Sequence, residues 1–471
     1  MEKRRHLAII IVVAAVAASL SFWFIGRPFV SNRLAATSPF DGGKNYRMAR
    51  IFVEQGVLSD YQNPPFIPTA RILPLYSFFL AALISVGASP LASVGIQFAL
   101  SVLIPIFSYG IARFFLSPRG ALAIGLIMAL HPLQSAMPST FDDAWLFEIF
   151  WLAGLFWYFR GIKNDPPRWT DLIISGLLLG LSGLTRPLTM VLWPLLVLGF
   201  FIRHRRRALI GAVLLVVVLF TVWIPWFYRN WQQFHRVFIT TQDSYILTWD
   251  AYAFYVADIM RISHPEAKHR VRLELETLTG RSLPYEGGDA ADDPFLNDPA
   301  LAARAKQYVF GRIARDPFRY MVSHARHSLP FWTGSALREF LATAQLYPAH
   351  LQGGLPVFTR EITAGNWPVV GQGIRLMGPG WSALYLFDFL FLTLAPYLLA
   401  LVGMWRLWRS GDPACRTFGV IMFFLLAFSS FVTSGVYIGP RYRFPFEPLL
   451  WMLVVIGLGT PLSPAVVRRR E

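Results

Sequence analysis

The chain has 471 residues, of which 55% are hydrophobic and only 15% charged, with a formal net charge of +16. Its apolar residues stand in long blocks rather than in alternation, which excludes an ordinary soluble domain. The basic residues gather at the block ends, where they read as anchors on an anionic membrane leaflet and not as a nucleic-acid footprint.

A helix needs about 20 mostly apolar residues to cross a hydrocarbon core about 30 Å thick, because lipid offers backbone groups no partners. In chain order the apolar blocks are 7–25, 72–86, 91–116, 121–137, 144–159, 172–184, 188–202, 208–227, 381–404, 417–437 and 446–458. The expected fold is therefore an all-α polytopic membrane protein with about 10–11 transmembrane helices, some short enough to be tilted or half-buried. It divides into an amino-terminal membrane module, 1–227, with a first outer loop at 26–71; a large outer segment, 228–380; and carboxy-terminal membrane helices, 381–471. The first block follows Lys3, Arg4 and Arg5 and shows no small-residue cleavage site, so it reads as an uncleaved helix.

Lys and Arg concentrate in cytoplasmic connections. The amino terminus, 160–168, 203–207, 405–409 and the tail 468–470 are thus expected inside, and 27–71 and 228–380 outside. Three blocks, an odd number, then separate residue 71 from the outer segment 131–143; either the shortest, Ile72–Val86, re-enters or lies along the interface, or Arg113 and Arg119 depart from the positive-inside pattern and the odd block lies elsewhere. The single cysteine, Cys415, sits by a cytoplasmic connection, so packing and not a disulfide must order the outer segment.

Within that segment, 285–299 is acidic with several Gly and Pro and reads as a solvated stretch. Leu301, Ala305, Tyr308, Val309 and Ile313 then recur at helical spacing, predicting an amphipathic helix. Asp316 is a suitable N-cap ahead of Pro317 for a second helix with Phe318, Met321, Val322 and Ala325 as its apolar face. Helices of this kind lie at interfaces and brace a site. No internal repeat is visible.

The polar residues hardest to explain as scaffold all fall on the expected outer side. Asp41, in Ser38-Pro39-Phe40-Asp41-Gly42-Gly43, suits a turn but also a general base or a holder of a substrate hydroxyl. Asp142 and Asp143 open the fifth block, where an acidic residue serves equally as a helix cap. Arg186, Arg229, Arg441 and Arg443 stand where Lys and Arg are under-used. Snorkelling accounts for arginine near helix ends, yet four on the disfavoured side suggest an anionic ligand, since guanidinium groups grip phosphate bidentately. The nine histidines, including the pairs His264/His269 and His324/His327, show no metal-ligand spacing and read as surface or structural residues; a divalent metal stays open. No phosphate loop or dinucleotide fingerprint occurs.

Several stretches, taken together, resemble the C-type superfamily of polytopic membrane glycosyltransferases, in the branch of protein O-mannosyltransferases and bacterial aminoarabinose transferases (glycosyltransferase family 39-like). They are Asp41 with Tyr46, Ala49 and Gly56; Leu184-Thr185-Arg186-Pro187; Pro225-Trp226-Phe227-Tyr228-Arg229-Asn230; Ala314-Arg315-Asp316-Pro317-Phe318-Arg319-Tyr320; and Arg441-Tyr442-Arg443-Phe444-Pro445. Each is short, but in this order they run along nearly the whole chain.

The resemblance implies an enzyme that moves a sugar from a polyprenyl-phosphate donor to an acceptor at the outer face of the membrane, in a bacterium the periplasmic face of the inner membrane, with inversion at the anomeric carbon. It implies that Asp41 deprotonates or orients the acceptor, that Asp142 or Asp143 fills the second acidic position, and that Arg186, Arg229, Arg441 and Arg443 hold the donor phosphate. This chain has a lone Asp41 followed by Gly42 where the protein mannosyltransferases have an Asp-Glu pair, which favours a lipid or glycan acceptor over a protein. The alternative is a transporter or flippase of an amphiphilic anion, disfavoured because ionisable residues are scarce within the apolar blocks.

Overall fold

A computed structural model describes residues 2–35, 44–61, 64–164, 167–204, 208–283, 297–344, 346, 361–362, 365–410, 413–432 and 440–462. Among them every regular element is helical, and one isolated bridge joins Leu116 to Leu462. In the amino-terminal module the helices are α1 Glu2–Ser21, α2 Arg27–Ala35, α3 Lys44–Gln55, α4 Pro74–Ser85, α5 Pro90–Ser101, α6 Leu103–Phe115, α7 Pro118–Leu130, α8 Pro132–Ala136, α9 Ala144–Lys163, α10 Trp169–Gly183, α11 Leu188–His204 and α12 Ala208–Phe234. The outer segment contributes α13 Ala253–Met260, α14 His264–Thr279, α15 Pro299–Ile313, α16 Pro317–Thr333 and α17 Ala336–Thr343. After these come α18 Trp367–Phe387, α19 Ala395–Arg409, α20 Pro413–Val432 and α21 Glu447–Gly457.

Four stretches, Glu2–Ser31, Pro90–Phe115, Leu209–Phe234 and Trp367–Arg409, are long and apolar enough to cross a membrane. A fifth candidate is the pair Pro118–Leu130 and Pro132–Ser139, bent by 43°. Five more apolar helices have 10–17 residues. Each expected block falls mainly on helix, and residues 433–437 lie outside the described set. The block expected to re-enter, α4, has 12 residues and so rises about 18 Å, short of a full crossing.

Ser-Pro pairs mark the helix starts: Ser89 Oγ accepts from Ala92 N at 3.1 Å and Ser117 Oγ from Gly120 N at 3.4 Å, each with proline at the first helical position. At the centre runs α9, apolar on nearly every side, with Trp145, Phe147, Trp151 and Tyr158 fully buried. It packs on α10, which in turn packs on α12. Backbone meets backbone where α19 crosses α21: a Cβ on Gly403 would lie 2.0 Å from the Leu453 carbonyl oxygen, and one on Gly457 2.1 Å from that of Leu399.

The outer segment has a core of its own, with Trp249, Tyr252, Val271, Leu275, Leu301, Ala305 and Val309 buried together. Its acidic stretch 285–296 lies outside the described residues, whereas Asp298 caps α15 through bonds from Ala300 N (2.8 Å) and Leu301 N (3.1 Å). Asp316 caps α16, accepting from Arg319 N at 3.2 Å. That helix is turned against ordinary amphipathic packing. Phe318, Met321, Val322 and Ala325 face outward, while Ser323, His324, His327 and Ser328 face the protein. The inward polar groups find partners: Ser323 donates to Asp258 (2.6 Å), His327 Nε2 faces the same carboxylate (3.3 Å), and His324 Nε2 lies 2.5 Å from the Phe431 carbonyl. His324 and His327 are therefore buried structural residues and not surface ones.

Candidate active site

The site gathers at one end of the bundle, where α9 begins, α10 and α12 end and the chain leads into α4. Leu75 N donates to Leu184 O at 3.1 Å, tying the start of α4 to the α10–α11 connection. That connection carries Arg186, whose Nε donates to Asp143 Oδ1 at 2.6 Å and whose Nη2 donates to Asp142 Oδ1 at 2.5 Å. One guanidinium thus grips two adjacent carboxylates, a charge-assisted fork that fixes all three groups. Asp142 also performs the cap role, since its Oδ1 accepts from Ala144 N at 2.9 Å.

Solvent still reaches the cluster: the Arg186, Asp142 and Asp143 side chains are 15%, 27% and 24% exposed. Partial burial pushes the Asp143 carboxyl above the usual carboxylate range, and Asp142 adds to that shift; Arg186 and Lys44 oppose it. Burial works against the Arg186 charge, but Asp143 and Asp142 outweigh it and hold the guanidinium firmly ionised. The Tyr442 ring lies 5.7 Å from the Arg186 guanidinium carbon.

Helix α3 lays its first turn on the same place. Asn45 Nδ2 donates to Phe141 O at 2.9 Å, and the Tyr46 and Phe141 rings lie 4.8 Å apart. Asp41 lies outside the described residues.

Beside this cluster the segment joining α3 to α4 is folded into the protein. Thr69 N donates to Leu58 O at 2.9 Å, and Ser59, Asp60, Thr69, Ala70 and Arg71 are all buried. Arg71 Nε donates to Gln242 Oε1 at 2.7 Å, and Arg229 Nη1 donates to Thr69 O at 2.8 Å and to Asn230 Oδ1 at 2.8 Å. Arg229 therefore sits at the same end as Arg186, through the Thr69–Arg71 segment. Sequence reading passed over Lys44, Asp60 and Arg71. The two basic residues carried the same signal as Arg186, a cation on the side where cations are under-used, whereas Asp60 carried none.

Arg443 has another occupation. It is 3% exposed, and its guanidinium donates to Glu447 Oε1 (2.5 Å), Tyr397 Oη (2.7 Å) and the carbonyls of Trp332 (2.8 Å), Phe331 (3.0 Å) and Gly334 (3.3 Å). It closes the carboxy-terminal end of α16 and, through Glu447, faces His131 at the α7–α8 bend, 3.8 Å away. With every guanidinium nitrogen engaged inside the protein, Arg443 is placed to hold the outer helix on the bundle and not to meet a ligand. The Arg441 side chain lies outside the described set.

The described residues contain no group of three or more His, Cys, Asp and Glu suited to a metal ion. Asp142 and Asp143 offer two carboxylates, each with one oxygen on Arg186, and these alone do not complete a coordination shell.

Residues 68–228 match the family model described as dolichyl-phosphate-mannose-protein mannosyltransferase, a stretch that includes Asp142, Asp143 and Arg186 and begins after Asp41. No curated protein matches the sequence. Among solved structures, the Archaeoglobus fulgidus oligosaccharyltransferase in complex with Zn and sulfate is 11% identical, with a TM-score of 0.51 over 96% of this chain and 48% of its own. The archaeal oligosaccharyltransferase AglB from the same organism, in complex with an inhibitory peptide and a dolichol-phosphate, is 14% identical, with a TM-score of 0.50 over 97% of this chain and 50% of its own. ArnT from Cupriavidus metallidurans, bound to undecaprenyl phosphate, is 14% identical, with a TM-score of 0.40 over 96% of this chain and 76% of its own. The chain spans about half the length of the oligosaccharyltransferases it matches. The family model covers residues 68–228 alone, and along nearly its whole length this all-helical membrane protein shares the fold of these oligosaccharyltransferases.

Proposed function

We propose that the protein transfers a sugar from a polyprenyl-phosphate donor to a lipid or glycan acceptor at the outer face of the membrane. The observation that carries this reading is the Arg186 fork on Asp142 and Asp143, held against the start of α3 and lying inside the matched stretch. A dolichol-phosphate in one fold relative supports a lipid phosphate as the donor's leaving group.

In this reading Asp41 takes the acceptor proton, and Asp142 and Asp143 complete the acidic side. The acceptor oxygen bonds to the anomeric carbon as that carbon's bond to the phosphate oxygen breaks, and the negative charge leaves on the lipid phosphate. Fixed cations already in place stabilise it without reorganising. Arg186 and Arg229 supply that charge, Arg71 stands beside Arg229, and Arg441 remains a candidate for the phosphate. The lone Asp41 followed by Gly42 supports a lipid or glycan acceptor.

Purified protein in detergent, given a radiolabelled polyprenyl-phosphate sugar and candidate acceptors, tests the reading. Free polyprenyl phosphate formed in step with labelled product supports it. Label moved across a vesicle membrane with no polyprenyl phosphate released would sink it in favour of a flippase.

A further inference from the structure

Gln97 is the lone amide side chain in the stretch Pro90–Phe115, which is long and apolar enough to cross a membrane, and it is fully buried. A polar side chain at such a place is costly unless its groups are paired. Both ends of the amide are engaged. Gln97 Nε2 donates to the Pro138 carbonyl at 3.0 Å and, more weakly, to the Thr140 carbonyl at 3.4 Å, while Gln97 Oε1 accepts from the Tyr76 hydroxyl. Two carbonyls on one side require the NH2 group there, which leaves the amide oxygen for the hydroxyl.

These partners belong to the two sides of the Arg186 fork. Pro138 and Thr140 lie in the link between α8 and α9, just ahead of Asp142 and Asp143, and Asn45 Nδ2 holds the Phe141 carbonyl of the same link at 2.9 Å. Tyr76 stands in the first turn of α4, next to Leu75, whose N donates at 3.1 Å to Leu184 O in the connection that carries Arg186. The Tyr76 ring also meets Trp145, in the first turn of α9, edge to face at 6.1 Å. Gln97 therefore joins the segment that carries the two aspartates to the helix tied to the arginine.

We propose that Gln97 is a positioning residue of the site: by holding the Pro138 and Thr140 carbonyls and the Tyr76 hydroxyl together, it sets the register of Asp142 and Asp143 against Arg186. Gln97 touches no reacting atom. A misplacement of about 1 Å at a reacting centre costs rate even when its origin lies away from the chemistry. This rests on the glycosyl-transfer reading.

The test is polyprenyl phosphate release by reconstituted Gln97→Met, alone and combined with Arg186→Ala, per folded molecule and with thermal melting of each variant. Methionine keeps the length of the side chain and removes its hydrogen bonds. The expected result is a kcat lower by roughly tenfold with donor KM changed little, and no further loss on top of Arg186→Ala. The acid limb of kcat/KM should also move up, because an arginine out of register opposes the upward shift of the Asp143 carboxyl less. A part in stability alone would lower the melting temperature and leave these readouts parental. That result, or losses that simply multiply with those of Arg186→Ala, would overturn the proposal. If Gln97→Met fails to fold, Tyr76→Phe takes its place, since it keeps the ring against Trp145 and removes only the hydroxyl. Its expected loss is smaller, about threefold or more, with the same non-multiplicative coupling, and a parent-like kcat there overturns the proposal equally. A parent protein that transfers no sugar would instead sink the reading on which it rests.

Discussion

Arg186 and Asp143 act on each other's charge through their mutual field. Burial favours the protonated form of Asp143, so its carboxyl ionises later than an ordinary aspartate as pH rises, and Arg186 limits that delay. If ionised Asp143 is required, the acid limb of the kcat/KM profile lies above the ordinary aspartate range. In Arg186→Ala the limb moves higher still, because the opposing cation is gone. A profile unchanged by the substitution would separate Asp143 from the rate. Arg443 carries the opposite expectation. Removing its guanidinium leaves Glu447 buried without its cation and uncaps α16, at a cost of about 3–5 kcal/mol. Arg443→Ala should therefore melt well below the parent, and donor binding per folded molecule should stay near parental; a stable protein with lost donor affinity would restore the phosphate role to Arg443. From sequence, Arg186 and Arg443 look alike, two cations on the disfavoured side. What separates them is whether partners elsewhere in the chain consume the guanidinium, and sequence spacing cannot report that.

Helix α16 shows the same limit one level up. Its start at Asp316-Pro317 and its apolar stripe are plain in the sequence, because capping and periodicity are local properties. Which way the stripe faces depends on Asp258 and on the Phe431 carbonyl, 65 and 107 residues from their partners Ser323 and His324. The stripe faces away from the protein. Trp332 Nε1 donates to Ser430 at 2.6 Å, in the last turn of the apolar helix α20, so α16 lies where a membrane helix ends. Phe318, 76% exposed, and Met321, 57% exposed, are then poised at the bilayer boundary with Arg315 and Arg319 beside them. A tryptophan at Val322 in reconstituted protein should be quenched by lipids brominated near the headgroup, and quenching equal to that of a fully aqueous tryptophan would contradict this placement.

For the molecule as a whole, the helical blocks and their order were legible because lipid imposes a length and a composition on every crossing segment. The site was legible only in part. Asp142, Asp143 and Arg186 are brought together from positions 43 and 44 residues apart, whereas the burial of Asp60 and Arg71 depends on a folded segment with no sequence signature. Orientation follows from basic residues alone and is tested directly: a cysteine at Leu278, on exposed α14, should react with an impermeant thiol reagent added from outside, and one at Trp408, exposed at the end of α19, should not. The reverse pattern would place the site on the cytoplasmic side.

The most direct test of the central claim is the release of free polyprenyl phosphate from a labelled polyprenyl-phosphate sugar by reconstituted protein, compared between the parent and Arg186→Ala in equal folded amounts. The account predicts release matched to sugar transferred by the parent, a fall of roughly tenfold or more in Arg186→Ala, and only partial recovery in Arg186→Lys, which keeps the charge but loses the planar fork. Equal release by parent and Arg186→Ala would contradict it.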